Sequence, residues 1–540
     1  MAGAESRPGW WGGVWPPRPR DGVFVPLLLV AAVVVVWSGT LHAPFVYDDK
    51  IEVVGNPTLR LLSEWSAITT YNLSRPLLIF TYAINWAISR LDPLGYHLTS
   101  IGIHALNGML AWRLLARFLS PGRAGAGAAL WALHPMVTEG VTYISGRSDA
   151  LCATGWLIAL AAWTDHLRGE GSGARRLAYG ATVAALLTKE VAILLPLGLY
   201  LLDRVVVPGG RSGRWRDYAP LLLAMGLAVG VRVGVMGLPR PEVPRGLWAH
   251  LCTQAEAWTL YLRLWLVPVG QSILHDGPQE ARWQGGLALG AWVAALVWAL
   301  RRGGWTGALL GLAACWLAPS SVLPLKEVLA EHRSYLAGLA LSAAVVAVVP
   351  RTGLWWMVAA GLAMATVARN RVWESEVALW ADASAKHPES ADATYGYGDA
   401  LRLSHQPGPA EVQFRRVLEL RPGDENASIN LGITLAEQGH LDEARDVWQG
   451  TLRLHPQSCP THNNLAALDF RAGRLREAAA GYASTLRYCP ADPMALYNLG
   501  DIYRLIGDTR AAVLWFERYL ERVPGGAQTA QVQEILATLR

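Results

Sequence analysis

A fixed period of 34 residues governs the chain from residue 388 onward and strongly limits what this part can fold into. Prolines recur at this spacing: Pro388, Pro422, Pro456, Pro490 and Pro524. Small residues follow the same period in two further series: Gly398, Gly432, Ala466 and Gly500, then Ala410, Ala444, Ala478 and Ala512. Small residues let two helices approach closely, and proline ends a helix because it lacks the amide donor. The pattern therefore predicts helical hairpins that stack into a solenoid.

This period is typical of tetratricopeptide repeats. We predict four hairpins across 391–526 and a capping helix at 527–540. The concave face of such an array usually binds an extended peptide or a protein partner. Three asparagines recur on the first helices of the hairpins, namely Asn430, Asn464 and Asn498. These amides could hydrogen-bond a peptide backbone, or they could be solvated or cap local turns. Cys459 and Cys489 begin and end one hairpin, and whether they form a disulfide stays open.

The preceding part of the chain has a different composition. Overall 52% of the residues are hydrophobic and 16% charged, against roughly 25% charged in an ordinary soluble domain. Of the 42 acidic residues, 20 lie in the first 370 positions and 22 in the last 170. An apolar part thus precedes a water-soluble one. We expect a cytoplasmic tail at 1–22, a membrane domain at 23–370 and a connecting helix at 371–390.

Membrane topology follows from the arginines, because short cytoplasmic loops retain positive charge. Residues 23–41 carry no charge, over about the length needed to cross a ~30 Å hydrocarbon core. Ten further apolar segments follow at 97–118, 124–137, 150–166, 177–188, 190–203, 218–236, 285–300, 304–323, 335–350 and 353–368. Arginines cluster at every second connection. The pattern predicts eleven crossings with the N-terminus inside, an interfacial helix at 76–91 and a segment at 251–267 that does not cross.

The predicted fold is therefore all-α, with a polytopic membrane bundle of about eleven spans followed by an α-solenoid. The repeats would lie on the non-cytoplasmic side. Few lysines and many arginines and alanines favour a bacterial inner membrane with periplasmic repeats. The apolar segments and the repeats predict a lipid membrane and a protein as partners. The formal charge of +5 is small for 540 residues, so we expect no nucleic acid as a partner.

The sharpest candidate for chemistry is the acidic pair in the first outer loop, FVYDDKIEVVGNP. Asp48 and Asp49 are adjacent carboxylates, which repel each other unless a cation, a proton or a substrate hydroxyl compensates. One of them could act as general base toward an acceptor hydroxyl. Two alternatives stay open, namely an ordinary solvated loop and a divalent-metal site, since oxygen ligands suit Mg²⁺ or Mn²⁺.

Other outer loops concentrate charge at predicted membrane ends, where ionisable groups are costly and therefore functional candidates. The candidates for binding a donor phosphate or an acceptor are Glu139, Arg147, Asp149, Lys189, Glu190, Glu331, His332 and Arg333. Arg147 could hold a phosphate through its planar fork. The alternative is that these residues form interfacial ion pairs. No Walker A loop, GxSxG elbow or HExxH pair occurs in a matching context, which argues against an ATP-driven pump, a serine hydrolase or a zincin.

Several segments in order resemble one family. Six segments, followed by the repeats, are similar in sequence and order to transmembrane O-mannosyltransferases with tetratricopeptide repeats, which are GT-C type enzymes. The segments are FVYDDKIEVVGNP, RPLLIFTYAIN, GYHLTSIGIHALN, HPMVTEGVTYISGRSD, LLTKEVAILLP and EHRSYL. The resemblance implies transfer of mannose from a polyprenyl phosphate to protein serine or threonine hydroxyls on the non-cytoplasmic side, and it matches Asp48 and Asp49 to the family's acidic pair. The chain departs from the family's arginine–tyrosine spacing at His332.

The resemblance implies a lipid-linked sugar as substrate and no certain cofactor. Two other functions stay open from the residues. One is a non-catalytic membrane scaffold whose repeats recruit partners, and the other is a GT-C enzyme that uses the same donor with a glycan or lipid acceptor.

Overall fold

A computed structural model describes residues 24–60, 65–170, 173–206, 215–237, 246–275, 283–302, 304–322, 329–349 and 351–540. Within these ranges the secondary structure is helical, and the β pairing consists of one isolated bridge between His275 and Leu329. The all-α prediction is confirmed. The predicted tail at 1–22 and part of the arginine cluster at 204–216 lie outside the described residues. The chain divides into two compact units, Met1–Asp382 and Ala383–Arg540.

The first unit is built from fifteen described α-helices and the start of a sixteenth. They are α1 Phe24–Trp37, α2 Trp65–Tyr71, α3 Pro76–Ser89, α4 Pro93–Leu115, α5 Pro121–Ala132, α6 Thr138–Val141, α7 Arg147–Leu167, α8 Ala174–Leu186, α9 Leu195–Val206, α10 Trp215–Met236, α11 Leu247–Leu266, α12 Trp283–Arg302, α13 Gly304–Val322, α14 Ala337–Val348, α15 Thr352–Asn370 and α16 Glu376–Lys386. Proline occupies the first position of α3, α4 and α5, where its missing amide donor costs nothing.

The core of this unit lies between α4, α5, α7, α13 and α14. Large aromatic side chains fill it, and Trp131, Trp156 and Trp163 are at most 1% exposed. Close helix contact depends on small residues: a Cβ on Gly155 would lie 2.8 Å from the Cβ of Ala185 on the neighbouring helix. Glycine at this position therefore sets the separation of α7 and α8.

By length and apolar composition, one helix in the described ranges could cross a membrane, over Trp215–Gly234 in α10. Shorter apolar helices include Phe24–Thr40, Trp283–Ala299 and Ala337–Val348. The eleven-span arrangement therefore stays a prediction. The segment predicted to span 190–203 is interrupted, because a 3-10 turn at Glu190–Leu194 precedes α9. The segment 76–91 contains α3 and extends two residues beyond it, and the segment 251–267 coincides with α11 from residue 251 to its end and extends one residue further.

The second unit consists of paired helices at the predicted period. The pairs are Ala391–Leu403 with Pro407–Leu420 (α17, α18), Glu425–Glu437 with Leu441–Leu454 (α19, α20), Cys459–Arg471 with Leu475–Tyr488 (α21, α22) and Pro493–Ile506 with Thr509–Arg522 (α23, α24), followed by Thr529–Leu539 (α25). Ser390, Asp424 and Asp492 cap first helices by accepting an amide three residues on.

The small repeat residues lie where large side chains of the paired helix pack. A Cβ on Gly432 would meet the indole of Trp448 at 2.3 Å, and one on Gly500 would meet the ring of Phe516 at 2.6 Å. The recurring glycines thus make room for an aromatic ring inside the first, second and fourth hairpins. Cys459 and Cys489 form a disulfide, with their Cα atoms 6.4 Å apart, which joins the start of α21 to the residue after α22.

Candidate functional site

The two carboxylates of the acidic pair lie in different environments. Asp48 is exposed, whereas Asp49 is 1% exposed. Oδ1 of Asp49 accepts hydrogen bonds from the backbone amide of Ser145 at 2.7 Å and its hydroxyl at 2.6 Å, and Oδ2 accepts one from the amide of Val46 at 3.2 Å. Burial raises the pKa of Asp49 to about 7. Asp49 therefore ties the first loop to residues 143–147, while Asp48 faces outward.

Tyr143 holds Asp48 from the same segment. The backbone amide of Asp48 donates to the Tyr143 hydroxyl at 3.1 Å, and the Asp48 side chain is also hydrogen-bonded to this hydroxyl. The ring of Tyr143 is buried and stacks on Trp373, with 5.9 Å between centroids, and it lies 6.4 Å from the ring of His332. Tyr143 thus connects the acidic pair with His332.

Four of the predicted candidates meet beside Tyr143. Nδ1 of His332 lies 2.8 Å from Oε1 of Glu139, and the His332 amide donates to Oε2 at 3.0 Å. Nε2 of His332 lies 3.8 Å from Oδ2 of Asp149, and Lys189 donates to the same oxygen at 2.5 Å. Among the described residues, Oδ1 of Asp149 is buried without a hydrogen-bond partner. The structure therefore gathers Glu139, Asp149, Lys189 and His332 into one polar network.

Glu190 lies next to this network and binds two arginines. Its carboxylate accepts two hydrogen bonds from Arg75, at 2.7 Å from Nη2 and 3.2 Å from Nε. Arg232 in α10 donates to Oε2 at 3.3 Å. Neither arginine is among the candidates predicted from the sequence, because their partner is 115 and 42 residues away, respectively.

The structure corrects the role predicted for Arg147. Its side chain is fully buried and donates to the Ser100 hydroxyl at 3.1 Å, the Asn85 amide oxygen at 2.7 Å and the Tyr96 carbonyl at 2.7 Å. The guanidinium also lies 4.9 Å from the ring centroid of Tyr82. Because its donors are used inside the protein, Arg147 anchors the start of α7 and does not present a fork to a phosphate.

Glu331 contacts residues outside the four-residue network. Glu331 is 2% exposed and accepts a hydrogen bond from the Ser272 amide at 2.7 Å, and its carboxylate lies 2.9 Å from Nε2 of His275. It therefore fixes the segment 271–275. Arg333 is half-buried, and its carbonyl accepts a hydrogen bond from Trp316 at 2.8 Å.

In the ranges that the structure describes, no group of three or more His, Cys, Asp or Glu side chains has an arrangement that could hold a metal ion. The predicted asparagines of the repeats differ among themselves. Asn430 donates to the Tyr395 hydroxyl at 2.7 Å, and Asn498 is hydrogen-bonded to Tyr482. Both therefore join helices, whereas Asn464 is half-exposed on α21.

An apolar cavity of about 510 Å³ lies between α11, α12, α13 and α14. Its lining includes Trp258, Trp265, Trp292, Leu310 and Leu341. Ser334, two residues after His332, also lines it. The cavity thus adjoins the short segment that contributes to the polar network.

Comparisons with known proteins give two kinds of match. A family profile described as tetratricopeptide repeat matches residues 463–527. The chain is 30% identical over 289 residues to protein O-mannosyl-transferase Tmtc1 of Drosophila melanogaster, covering 47% of this chain and 33% of that protein. It is 24% identical over 513 residues to protein O-mannosyl-transferase TMTC3 of Mus musculus, covering 80% of this chain and 55% of that protein.

The chain thus spans about a third to about half of the length of these curated relatives. Among solved structures, PilW, described as a type IV pilus biogenesis factor, aligns with a TM-score of 0.28 and 18% identity over 45% of this chain and 98% of its own. The sequence matches confirm the resemblance to protein O-mannosyl-transferases with tetratricopeptide repeats.

Proposed function

We propose that this chain is a membrane glycosyltransferase that moves a sugar, mannose by analogy with the names of its relatives, from a polyprenyl phosphate to serine or threonine hydroxyls of proteins. The observation that carries the proposal is the division of the acidic pair into an exposed Asp48 and a buried, hydrogen-bonded Asp49. An exposed carboxylate held by fixed neighbours suits a general base, because proton transfer requires a group positioned within reach of the substrate hydroxyl.

In the proposed reaction the acceptor hydroxyl donates its proton to Asp48 while its oxygen attacks the anomeric carbon of the sugar. The bond between this carbon and the phosphate oxygen breaks, and the polyprenyl phosphate leaves as an anion, with inversion at the sugar carbon. Asp49 acts as a positioning residue, since two of its hydrogen bonds hold the first loop against Ser145 and the third, from the Val46 amide, closes a turn within the loop. Tyr143, in the same segment as Ser145, orients Asp48.

The apolar cavity supports a lipid-linked donor. Tryptophan and leucine side chains line it, and burying each methylene of a prenyl chain there contributes about 0.8 kcal/mol. The cavity adjoins Ser334, so a lipid chain inside it would place its head group near the segment of His332. The sugar phosphate end would then lie on the side of the polar network.

The repeats are proposed to bind the protein acceptor on the non-cytoplasmic side of the membrane. The disulfide between Cys459 and Cys489 supports this side, since disulfides persist mainly in oxidising compartments. The half-exposed Asn464 is the one of the three recurring asparagines proposed to contact a peptide directly.

The test uses the full chain in lipid nanodiscs with polyprenyl phosphate mannose and a serine-rich peptide. Asp48→Asn should lower kcat by about 10²- to 10⁴-fold, the usual contribution of a general base. Asp49→Asn should lower it less, because this residue only positions the base. Asp508→Asn serves as the matched control, since Asp508 caps a repeat helix and asparagine caps equally well.

A folded Asp48→Asn variant with wild-type turnover would refute the catalytic proposal. That result, together with a cellular role that follows the repeats alone, would favour a membrane scaffold. Transfer to a glycan or lipid in place of the peptide would keep the enzyme class and change the acceptor.

A further inference from the structure

Two guanidinium groups share one carboxylate at the edge of the polar network. Arg75 and Arg232 both donate to Glu190, at 2.7 Å and 3.3 Å. One negative charge between two positive ones leaves the group with a net charge of +1. By contrast, Lys189 is paired with Asp149 at 2.5 Å, and Arg147 is fully buried among its partners.

These three side chains are also accessible. Their exposed fractions are 30% for Arg75, 33% for Arg232 and 36% for Glu190. Only Nη1 of Arg232 donates to the carboxylate, and Arg75 uses its Nε and Nη2. A guanidinium has five donors in a planar fork, so both arginines keep donors for a further anion.

Arg232 lies where a lipid head group is to be expected. It belongs to the helix whose segment Trp215–Gly234 is long and apolar enough to cross a membrane. Within 218–236 it is the one charged residue. A charge inside such a segment is costly and usually marks a functional site. Because Arg232 is near the end of the helix, its side chain can reach the level of the head groups.

The pair also borders the proposed active site. The amide of Leu77 donates to the carbonyl of Leu187 at 3.0 Å, which joins the start of α3 to the segment that carries Lys189. Arg75 lies within electrostatic range of Asp149 in the polar network and of Glu52, which follows the acidic pair. A phosphate bound by Arg75 would therefore lie between these two groups of site residues.

We propose that Arg75 and Arg232, held together by Glu190, bind the phosphate of the lipid-linked donor, which is the task that the sequence pattern assigned to Arg147. This inference rests on the proposed function. A sugar linked to a polyprenyl phosphate is a diester with one negative charge, which matches the net charge of the group. When the sugar leaves, the phosphate becomes a monoester of greater negative charge, and arginine forks stabilise that charge as it develops.

The experiment measures binding of farnesyl phosphate, a short polyprenyl phosphate, to the full chain in nanodiscs by isothermal titration calorimetry. Arg75→Gln and Arg232→Gln should each weaken binding roughly 10- to 100-fold, since each removes a charged hydrogen-bonding partner. Binding of farnesol, which lacks the phosphate, should not change. Arg175→Gln is the matched control, because Arg175 pairs with Asp217 at 2.7 Å at the other end of α10 and should leave binding unchanged.

Inorganic phosphate is titrated in a separate arm to distinguish a lipid head group from a free anion. The wild type should bind farnesyl phosphate at least tenfold more tightly than inorganic phosphate, because the prenyl chain contributes apolar contacts. Equal affinities would overturn the assignment to a lipid ligand. Wild-type affinity in both glutamine variants, or no binding of farnesyl phosphate by the wild type, would overturn the whole inference.

Arg75→Lys and Arg232→Lys cover the case in which the glutamine variants do not fold. Lysine keeps the charge beside Glu190 but loses the planar fork, so affinity should fall and the KM for the donor should rise. The kcat should also fall, because the forks stabilise the charge that develops on the leaving phosphate. Unchanged affinity in folded lysine variants would count against the inference.

If the wild type binds farnesyl phosphate but transfers no sugar, the proposed function fails and the phosphate site stands. If it transfers sugar while both variants keep the wild-type KM, the phosphate site alone fails.

Discussion

Removal of the disulfide offers a quantitative test of the repeat unit. Cys459 and Cys489 are 30 residues apart in sequence, and closing a loop of this length in the unfolded chain is worth roughly 3.5 kcal/mol in the chain-entropy description. Cys459→Ser and Cys489→Ser should therefore each destabilise the unit Ala383–Arg540 by about this amount. For a unit of this size the loss corresponds to a fall in Tm of about 7–14 °C.

The assay is thermal and urea unfolding of a fragment spanning Ala383–Arg540, followed by circular dichroism with and without dithiothreitol. Either single variant already breaks the bond, so the double variant should show little further loss. Dithiothreitol should lower the Tm of the wild type and leave all three variants unchanged. Fully additive single losses, or a wild-type Tm that does not respond to reduction, would refute the reasoning.

Three further results are expected. Because burial raises the pKa of Asp49 to about 7, the wild type should lose stability relative to Asp49→Asn as the pH rises from 4 to 7, by on the order of 4 kcal/mol in total. Thermal unfolding across this range would show no such divergence if Asp49 were solvated. Arg147→Met leaves neutral buried acceptors unpaired and should lower the free energy of unfolding by about 1–3 kcal/mol. A variant as stable as the wild type in thermal unfolding would contradict its role as an anchor. In the repeats, Gly432→Ala should lower the free energy of unfolding by about 1–3 kcal/mol, because the added methyl group clashes with Trp448. Gly450→Ala meets only the flexible end of an arginine side chain and should raise the free energy of unfolding, measured in urea, by about 0.5–1 kcal/mol. The opposite order would disprove the packing argument.

The repeats could be predicted from the sequence because their helix contacts join residues close in the chain and recur at a fixed period. A hairpin contact between α19 and α20 requires a small residue at one position and an aromatic ring opposite, and both recur along the chain. The helix order of the repeats follows directly from this pattern. The disulfide could not be predicted from the sequence, because two cysteines at the ends of one hairpin can lie close together or far apart depending on how its helices pack.

The acidic site was only partly predictable. Charge identified Asp48, Glu139, Asp149 and His332, because charged residues at expected membrane ends stand out from an apolar background. Tyr143 and Ser145 were missed, since neutral hydroxyls occur at many positions that have no role in a site. The sequence feature that could have identified them is their position in the segment HPMVTEGVTYISGRSD, between the candidate residues Glu139 and Asp149.

The sequence by itself determined the helical class, the repeats and the charged residues from which a site is built, because these depend on residue type and on spacing within one element. Only the tertiary structure decided which role each charge has. It turned Arg147 inward, buried Asp49 while leaving Asp48 exposed, and brought Arg75 and Arg232 to one carboxylate. The physical reason is that hydrogen bonds and burial depend on groups far apart in the chain. These contacts decide whether a charged side chain is paired inside the protein or remains available to a ligand.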